Sequence, residues 1–313
     1  GRLLLGMGEG GGFPAATRAV AEWFPVNERA TAMGIINGGT AVGAVIAPPL
    51  IAVVLTRVHW LNLAPWRWVF FLTGALGLLW TIWWWRSYHT PENQSHISNA
   101  QAEIKVSLAS LLQHRETWAV VGAKFLSDGA WYFYLFWLPK YLFDAFQLDI
   151  KTVGAIGWIP YAASGVGCLV GGGFSSWLLK RGLSVNGSRK LALGASAALM
   201  PWVMFVPQLH SVGWVIFIFS LAFFGQQSWS TLVMILPTDM ISKRAVGTLA
   251  GLVGFGGAMG GVLLGQVVGW LRDHGYSYTP ALVISGSMHI AAFILICLVI
   301  PKIQPLAIQP ANK

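Results

Sequence analysis

A chain of 313 residues with 55% hydrophobic and 10% charged residues cannot clothe a water-soluble fold, whose surface calls for roughly 25% charged residues. Mean hydropathy is +0.62, as expected for an all-α polytopic membrane protein whose surface faces lipid. The formal charge of +9 is not gathered into a basic stripe on a polar helix, and nucleic acid is excluded as a partner.

A bilayer core takes about 20 apolar residues per helix, and the charge and proline clusters cut the chain into nine such runs. In order these are Leu3 to Phe24, Thr31 to Leu55, Trp68 to Trp85, Trp118 to Phe143, Thr152 to Leu179, Leu191 to Val206, Val212 to Leu236, Ala245 to Leu271 and Thr279 to Ile300. They are too long for membrane strands and do not alternate, so a β-barrel is not expected. Cys168 and Cys297 both lie inside these runs, which leaves no disulfide framework, zinc site or redox CxxC pair. Gly1 opens the chain without an initiator Met or a cationic leader and almost inside a helix, the pattern expected of a fragment.

Lys and Arg in short connections set the orientation. With the first span running inward, one side collects Arg18, Arg29, Arg86, Lys105, Arg115, Lys180, Arg181, Arg189, Lys190, Lys243, Arg244, Lys302 and Lys313. The other holds Arg57, Arg67, Lys140, Lys151 and Arg272, so the C-terminus is expected in the cytoplasm. Arg2 and Lys124 are the cations left within the membrane. The polar stretch Arg86 to Glu116 reads as a cytoplasmic linker, with Ser107 to His114 as a short amphipathic helix on the membrane surface. Three domains follow: residues 1–85, a partial helical bundle of three spans; the linker 86–116; and a six-helix bundle over 117–313.

An internal repeat supports that division. Glu28-Arg29-Ala30 precedes a helix with Gly34, Gly39 and Gly43, and Lys243-Arg244-Ala245 precedes one with Gly251, Gly256 and Gly260. Repeated halves point to alternating-access transport more often than to a channel, and a six-span second half implies three further helices before residue 1. The pairs Gly39 and Gly43, Gly247 and Gly251, Gly256 and Gly260, and Gly257 and Gly261 read as close helix contacts.

The run RLLLGMGEGGGFPAATRAVAEWFPVNERATAMG, continuing to Gly43 and Pro48-Pro49, resembles the fourth and fifth helices of the major facilitator superfamily, and within it the anion:cation symporters. Lys124 to Leu142 and the QQSWS of Gln226 to Ser230, followed by TDMISKRAVG, are similar to the hexuronate branch. Departures at Leu232 and Ala258 leave aldonates and aldarates open as substrates. The resemblance implies a major facilitator fold short of its first three helices in this chain, with Arg2 and Glu9 in its carboxylate and proton machinery. It further implies a monomer in a bacterial inner membrane, carrying a small sugar acid together with protons.

The residues themselves add chemistry. Arg2 and Glu9 are seven apart and share a helix face, about 10 Å apart along the axis. A carboxylate in a membrane marks an ion or proton path by default, which makes Glu9 the candidate proton site, against simple neutralisation of an arginine. Lys124 and Asp128 form an i, i+4 pair, with Tyr132 continuing the face. They read either as a substrate carboxylate site or as a salt bridge at the membrane edge. Gln226, Gln227, Ser228, Trp229, Ser230 and Thr231 crowd polar atoms into an apolar span, where they must find partners or a wet cavity; of these Gln227 and Trp229, with Asn37 and Thr40 one turn apart, read as substrate contacts, against interhelical hydrogen bonding. His289, alone in the last span, reads as a satisfied or interfacial histidine. Neither a nucleophile with its base nor a metal or cofactor motif appears, so the chain is not expected to be an enzyme. The other classes considered, a channel and a membrane enzyme, would need pore-lining charges or such a motif.

Overall fold

The computed structural model describes residues 2–58, 60, 63–89 and 107–306, without the side chains of residues 2, 3, 48, 150, 151 and 155. Its regular elements there are all helical. They are α1 (Arg2–Glu9), α2 (Gly12–Trp23), α3 (Val26–Arg57), α4 (Pro65–Ser87), α5 (Leu108–Leu112), α6 (Arg115–Phe146), α7 (Ile150–Lys180) and α8 (Val185–Ala198). A 3-10 segment (Pro201–Gln208) continues α8, and α9 (Val212–Met240), α10 (Val246–Asp273) and α11 (Thr279–Val299) complete the order.

Seven of these elements, counting α8 with its 3-10 continuation as one, are long and apolar enough to cross a membrane. Two of the nine expected runs are not among them. The first is broken by a turn at Gly10–Gly11, directly after Glu9, where glycine's lack of a side chain weakens a helix. The other is α6, which has the length at 32 residues but carries Lys124, Asp128, Lys140 and Asp144. The expected surface helix is also shorter than its reading. Ser107 caps α5 by accepting from Ser110 N–H at 3.0 Å, and Leu111 turns into the core while Leu108 and Leu112 stay exposed. Of the expected linker, residues 90–106 lie outside the described residues.

The chain divides into two compact units, one of Gly1–Gly39 with Ile104–Lys313 and one of Thr40–Glu103. The smaller unit contains the second half of α3 and all of α4, in which no residue is buried, so its Trp and Leu surface is suited to lipid or to other apolar helices.

In the larger unit, glycines set the helix crossings. An added Cβ at Gly260 would strike the Phe125 carbonyl, and at Gly256 the Val121 side chain, so α10 lies flush on α6 as the glycine spacing predicts. By contrast a Cβ added at Gly39 or Gly43 would meet nothing within 4 Å among the described residues. The close crossing on α3 is instead at Gly34, which faces the Cys168 carbonyl of α7, and at Gly172 of α7, which faces the Ala30 carbonyl. Replacing Gly260 with leucine should force α10 from α6, at an overpacking cost of about 1 to 3 kcal/mol or more. The expected result is a clear loss of monodisperse protein in detergent, measured by fluorescence size-exclusion chromatography, with Gly39→Leu as the tolerated control.

The two ends of this unit are held differently. Where α3 begins and α9 ends, Arg189 is fully buried and donates to Asp239 Oδ2 at 2.8 Å, to Ser175 Oγ at 2.8 Å and to the Val26 carbonyl at 3.2 Å. Arg29 joins it, donating to the Thr238 carbonyl at 2.9 Å with its guanidinium 3.8 Å from Asp239. The chain after α11 closes over the same end, with Leu306 N–H donating to the Met240 carbonyl at 2.8 Å and Ile303 N–H to Asn186 at 2.9 Å. At the opposite end, Tyr278 donates to Asp144 at 2.7 Å beside Lys140 at 2.9 Å, and these bonds hold the Asp144 carboxyl below its ordinary range.

Candidate functional site

The polar run in α9 is best understood from its period. Residues four apart share a helix face, so Gln226 and Ser230 point one way and Gln227 and Thr231 another. The contacts follow that division. Ser230 Oγ accepts from Lys124 Nζ of α6 at 2.8 Å, and Gln226 Nε2 lies 3.5 Å from Asp128 Oδ1. One step round the helix, Gln227 Oε1 accepts from Asn37 Nδ2 of α3 at 3.2 Å and lies 3.8 Å from Cys168 Sγ of α7. Asn37 Nδ2 also reaches Thr231 Oγ1 at 3.1 Å. Ser228 turns to a third neighbour and donates to the Gly167 carbonyl at 2.7 Å. A continuous run of polar residues in an apolar span is thus spread over several surrounding helices, which satisfies groups that lipid could not.

The ionic centre is Lys124 with Asp128. Nζ and Oδ1 are 2.9 Å apart, and the side chains are 8% and 15% exposed, so the pair is sheltered but reachable. Lys124 ends on Ser230 and Asp128 inside the helix bundle, so the pair faces the protein interior. Gly257 of α10 makes room for the pair, since a Cβ there would collide with the Asp128 carboxylate and crowd the Lys124 stem. Tyr132 continues the face with its ring over Gly261 and 5.9 Å from Phe136. A buried cation matched by a neighbouring carboxylate and ringed by amide and hydroxyl groups is suited to a small anion rich in hydroxyls.

The remaining expected site residues lie as follows. Glu9 is exposed at the last residue of α1, next to the glycine break. Arg2 lies on the same helix, but its side chain is outside the described residues. Thr40 falls in the smaller unit and is exposed. Trp229 has no exposed surface and meets the ring of His289 of α11 edge-on, with centroids 5.5 Å apart. His289 is fully buried and its Nε2 contacts Gln226 Oε1, which meets the satisfied alternative at that nitrogen. From the polar run the sequence singled out only Gln227 and Trp229 as substrate contacts and left the partners of Gln226, Ser230, Thr231 and His289 unassigned, although the four-residue spacing within the run carried a signal for the first three. Among the described residues no group of three His, Cys, Asp or Glu side chains is placed to hold a metal.

A bundle of membrane-length helices with a charged, polar centre defines a polytopic membrane protein. The family profile of the Major Facilitator Superfamily matches residues 1–265, and the chain belongs to that family. A hexuronate transporter of Escherichia coli (strain K12) is 29% identical over 289 residues, covering 87% of this chain and 65% of that protein. A D-galactonate transporter of Escherichia coli O6:H1 is 28% identical over 322 residues, covering 95% and 73%. The chain therefore spans just under two thirds of the hexuronate transporter it matches. Among solved structures, the Major Facilitator Superfamily transporter FucP in its outward conformation aligns with a TM-score of 0.64 at 16% identity, over 91% of this chain and 72% of that one. The fold expected from the sequence, an all-α major facilitator fold, is the fold found.

Proposed function

We propose that the protein is a secondary carrier of a sugar acid, a hexuronate such as glucuronate or galacturonate, moved together with a proton by alternating access. The observation that carries this reading is the sheltered Lys124–Asp128 pair at 2.9 Å among Ser230 and Gln226. Empty, the pair is neutral. A substrate carboxylate that takes Lys124 leaves Asp128 without its counter-ion, and a proton restores neutrality, either there or at Glu9. Moving a neutral, proton-matched complex avoids the cost of an uncompensated charge in low dielectric. Asn37, Gln227 and Tyr132 supply donors and acceptors for sugar hydroxyls, with Thr40 and the Arg2 fork as further contacts, and Trp229 enters through packing behind them. The excess of Lys and Arg on one set of connections supports putting the Arg29, Arg189 and Asp239 cluster and the C-terminus in the cytoplasm of a bacterial inner membrane, and the reading takes residues 1–85, 86–116 and 117–313 as half-bundle, linker and six-helix bundle. The names of the hexuronate and galactonate relatives favour a sugar acid, the second supporting an aldonate as the alternative cargo.

The test uses vesicles containing the full-length protein, with labelled glucuronate and an imposed pH gradient. Accumulation above equilibrium that collapses with the gradient is expected. Glu9→Gln, a stand-in for the permanently protonated acid, should lose accumulation yet retain exchange of labelled for unlabelled substrate. Wild-type accumulation by Glu9→Gln would move coupling to Asp128, and uptake indifferent to the gradient would overturn proton coupling altogether.

A further inference from the structure

The neighbourhood of His289 contains an arrangement that the anion site does not by itself require. His289 sits in the middle of α11, fully buried, one layer behind Asp128. Its Nε2 contacts Gln226 Oε1, and the other end of the same amide, Nε2 of Gln226, is turned to Asp128 Oδ1 at 3.5 Å.

Chemistry fixes every role along this chain. An ionised carboxylate only accepts, so Gln226 must present its NH2 group to Asp128. Its carbonyl then faces α11, where only a proton on His289 Nε2 can complete the bond. That assigns the histidine tautomer and leaves Nδ1 as a lone-pair acceptor. Nδ1 has no hydrogen-bond partner among the described residues, and neither does the Trp229 indole N–H whose ring stands against His289. A buried histidine with half its capacity unmet is a costly choice for packing alone, since an apolar residue would fill the space without the penalty. What the histidine does supply is a fixed donor behind the amide.

We infer that His289 is a positioning residue for the anion site: through Gln226 it holds the Asp128 carboxylate against Lys124 and so sets how readily a substrate carboxylate displaces it. This rests on the proposed role of Lys124 and Asp128. Without the Nε2 donor, the Gln226 amide is free to turn its carbonyl toward Asp128. The carboxylate then meets an acceptor, and the Lys124 to Ser230 arrangement loses its register. His289 itself touches no substrate.

The closest mimics separate donor position from bulk. Glutamine places an amide N–H near the Nε2 position, whereas asparagine places one near Nδ1. In the full-length protein, labelled glucuronate uptake should show a near wild-type KM for His289→Gln. For His289→Asn, KM should rise about tenfold, the loss of one buried hydrogen bond, with maximal rate and expression little changed. The doubly apolar Gln226→Leu, His289→Leu protein removes both partners and leaves neither unsatisfied, so it should fold and show a raised KM like that of His289→Asn. Equal KM values for His289→Gln and His289→Asn, or a wild-type KM in the double variant, would overturn the inference. Lys124→Ala distinguishes the two levels: uptake with an unchanged KM there rejects the anion site and the inference with it, whereas lost or weakened uptake beside an unaffected His289→Asn rejects only the positioning role.

Discussion

Lys124→Gln is expected to abolish net uptake of glucuronate, and it should also destabilise the protein. Lys124 is one partner of a sheltered pair, with Asp128 at 2.9 Å and Ser230 at 2.8 Å. Removing one member of a buried ion pair typically costs about 3 to 5 kcal/mol, because the other charge is left unmatched. Replacing both members by apolar residues of similar size removes the unmatched charge, and Lys124→Met with Asp128→Leu should recover most of the stability. Uptake should not recover, since no cation remains to meet a carboxylate. Melting curves in detergent paired with substrate counterflow separate the two effects. A Lys124→Gln protein that melts low but transports glucuronate with a wild-type KM would show that the pair is a structural tie and that the anion is bound elsewhere.

The membrane character and the approximate spans were legible because apolar length and charge placement are both local properties of the sequence. The stop and start of α9 and α10 around Lys243-Arg244 follow directly from them, with α9 ending at Met240 and α10 starting at Val246. Where two local signals compete, the simple reading erred. Apolar residues carry the first run from Leu3 to Phe24, but Gly10 and Gly11 cannot hold the helix together. Spacing also identified Lys124 with Asp128 as neighbours, though only the fold shows that the pair points at α9. The glycine motifs were half informative: Gly256 and Gly260 meet a facing helix, whereas Gly39 and Gly43, with the same spacing, meet none among the described residues. A motif specifies that a close approach is allowed, and a partner has to supply it. Arg29 and Arg189 were harder still. As basic residues near span ends they served only to set orientation, yet Arg189 is fully buried, and no pattern in the sequence pairs it with Asp239, fifty residues away.

That cluster carries the last large effect, on the conformational cycle. Asp239 is 1% exposed and lies between two guanidinium groups, Arg189 at 2.8 Å and Arg29 at 3.8 Å. Each arginine also crosses to another helix, Arg29 of α3 to the Thr238 carbonyl of α9 and Arg189 of α8 to the Val26 carbonyl of α3. Asp239→Asn keeps the shape of the side chain but leaves two positive charges facing each other in a sheltered place. Opening this end to water is the cheapest relief, so the variant should favour the state open on the side where α3 begins. Native Cys168 reports that opening without any added label site. It is buried on α7, with its sulfur 3.8 Å from Gln227, deep behind the cluster. In a full-length background in which Cys168 is the one cysteine kept, maleimide labelling of Cys168 should accelerate at least about tenfold in Asp239→Asn, which corresponds to a shift of about 1.4 kcal/mol in the opening equilibrium. Uptake against a gradient should fall steeply, because a carrier biased to one face returns slowly to the other. Arg29→Ala should share the faster labelling, having lost the tie from α3 to α9. If Cys168 in Asp239→Asn reacts as slowly as in the parent protein while the melting temperature drops, the cluster is a fixed part of the scaffold, and the moving contacts of the cycle lie elsewhere.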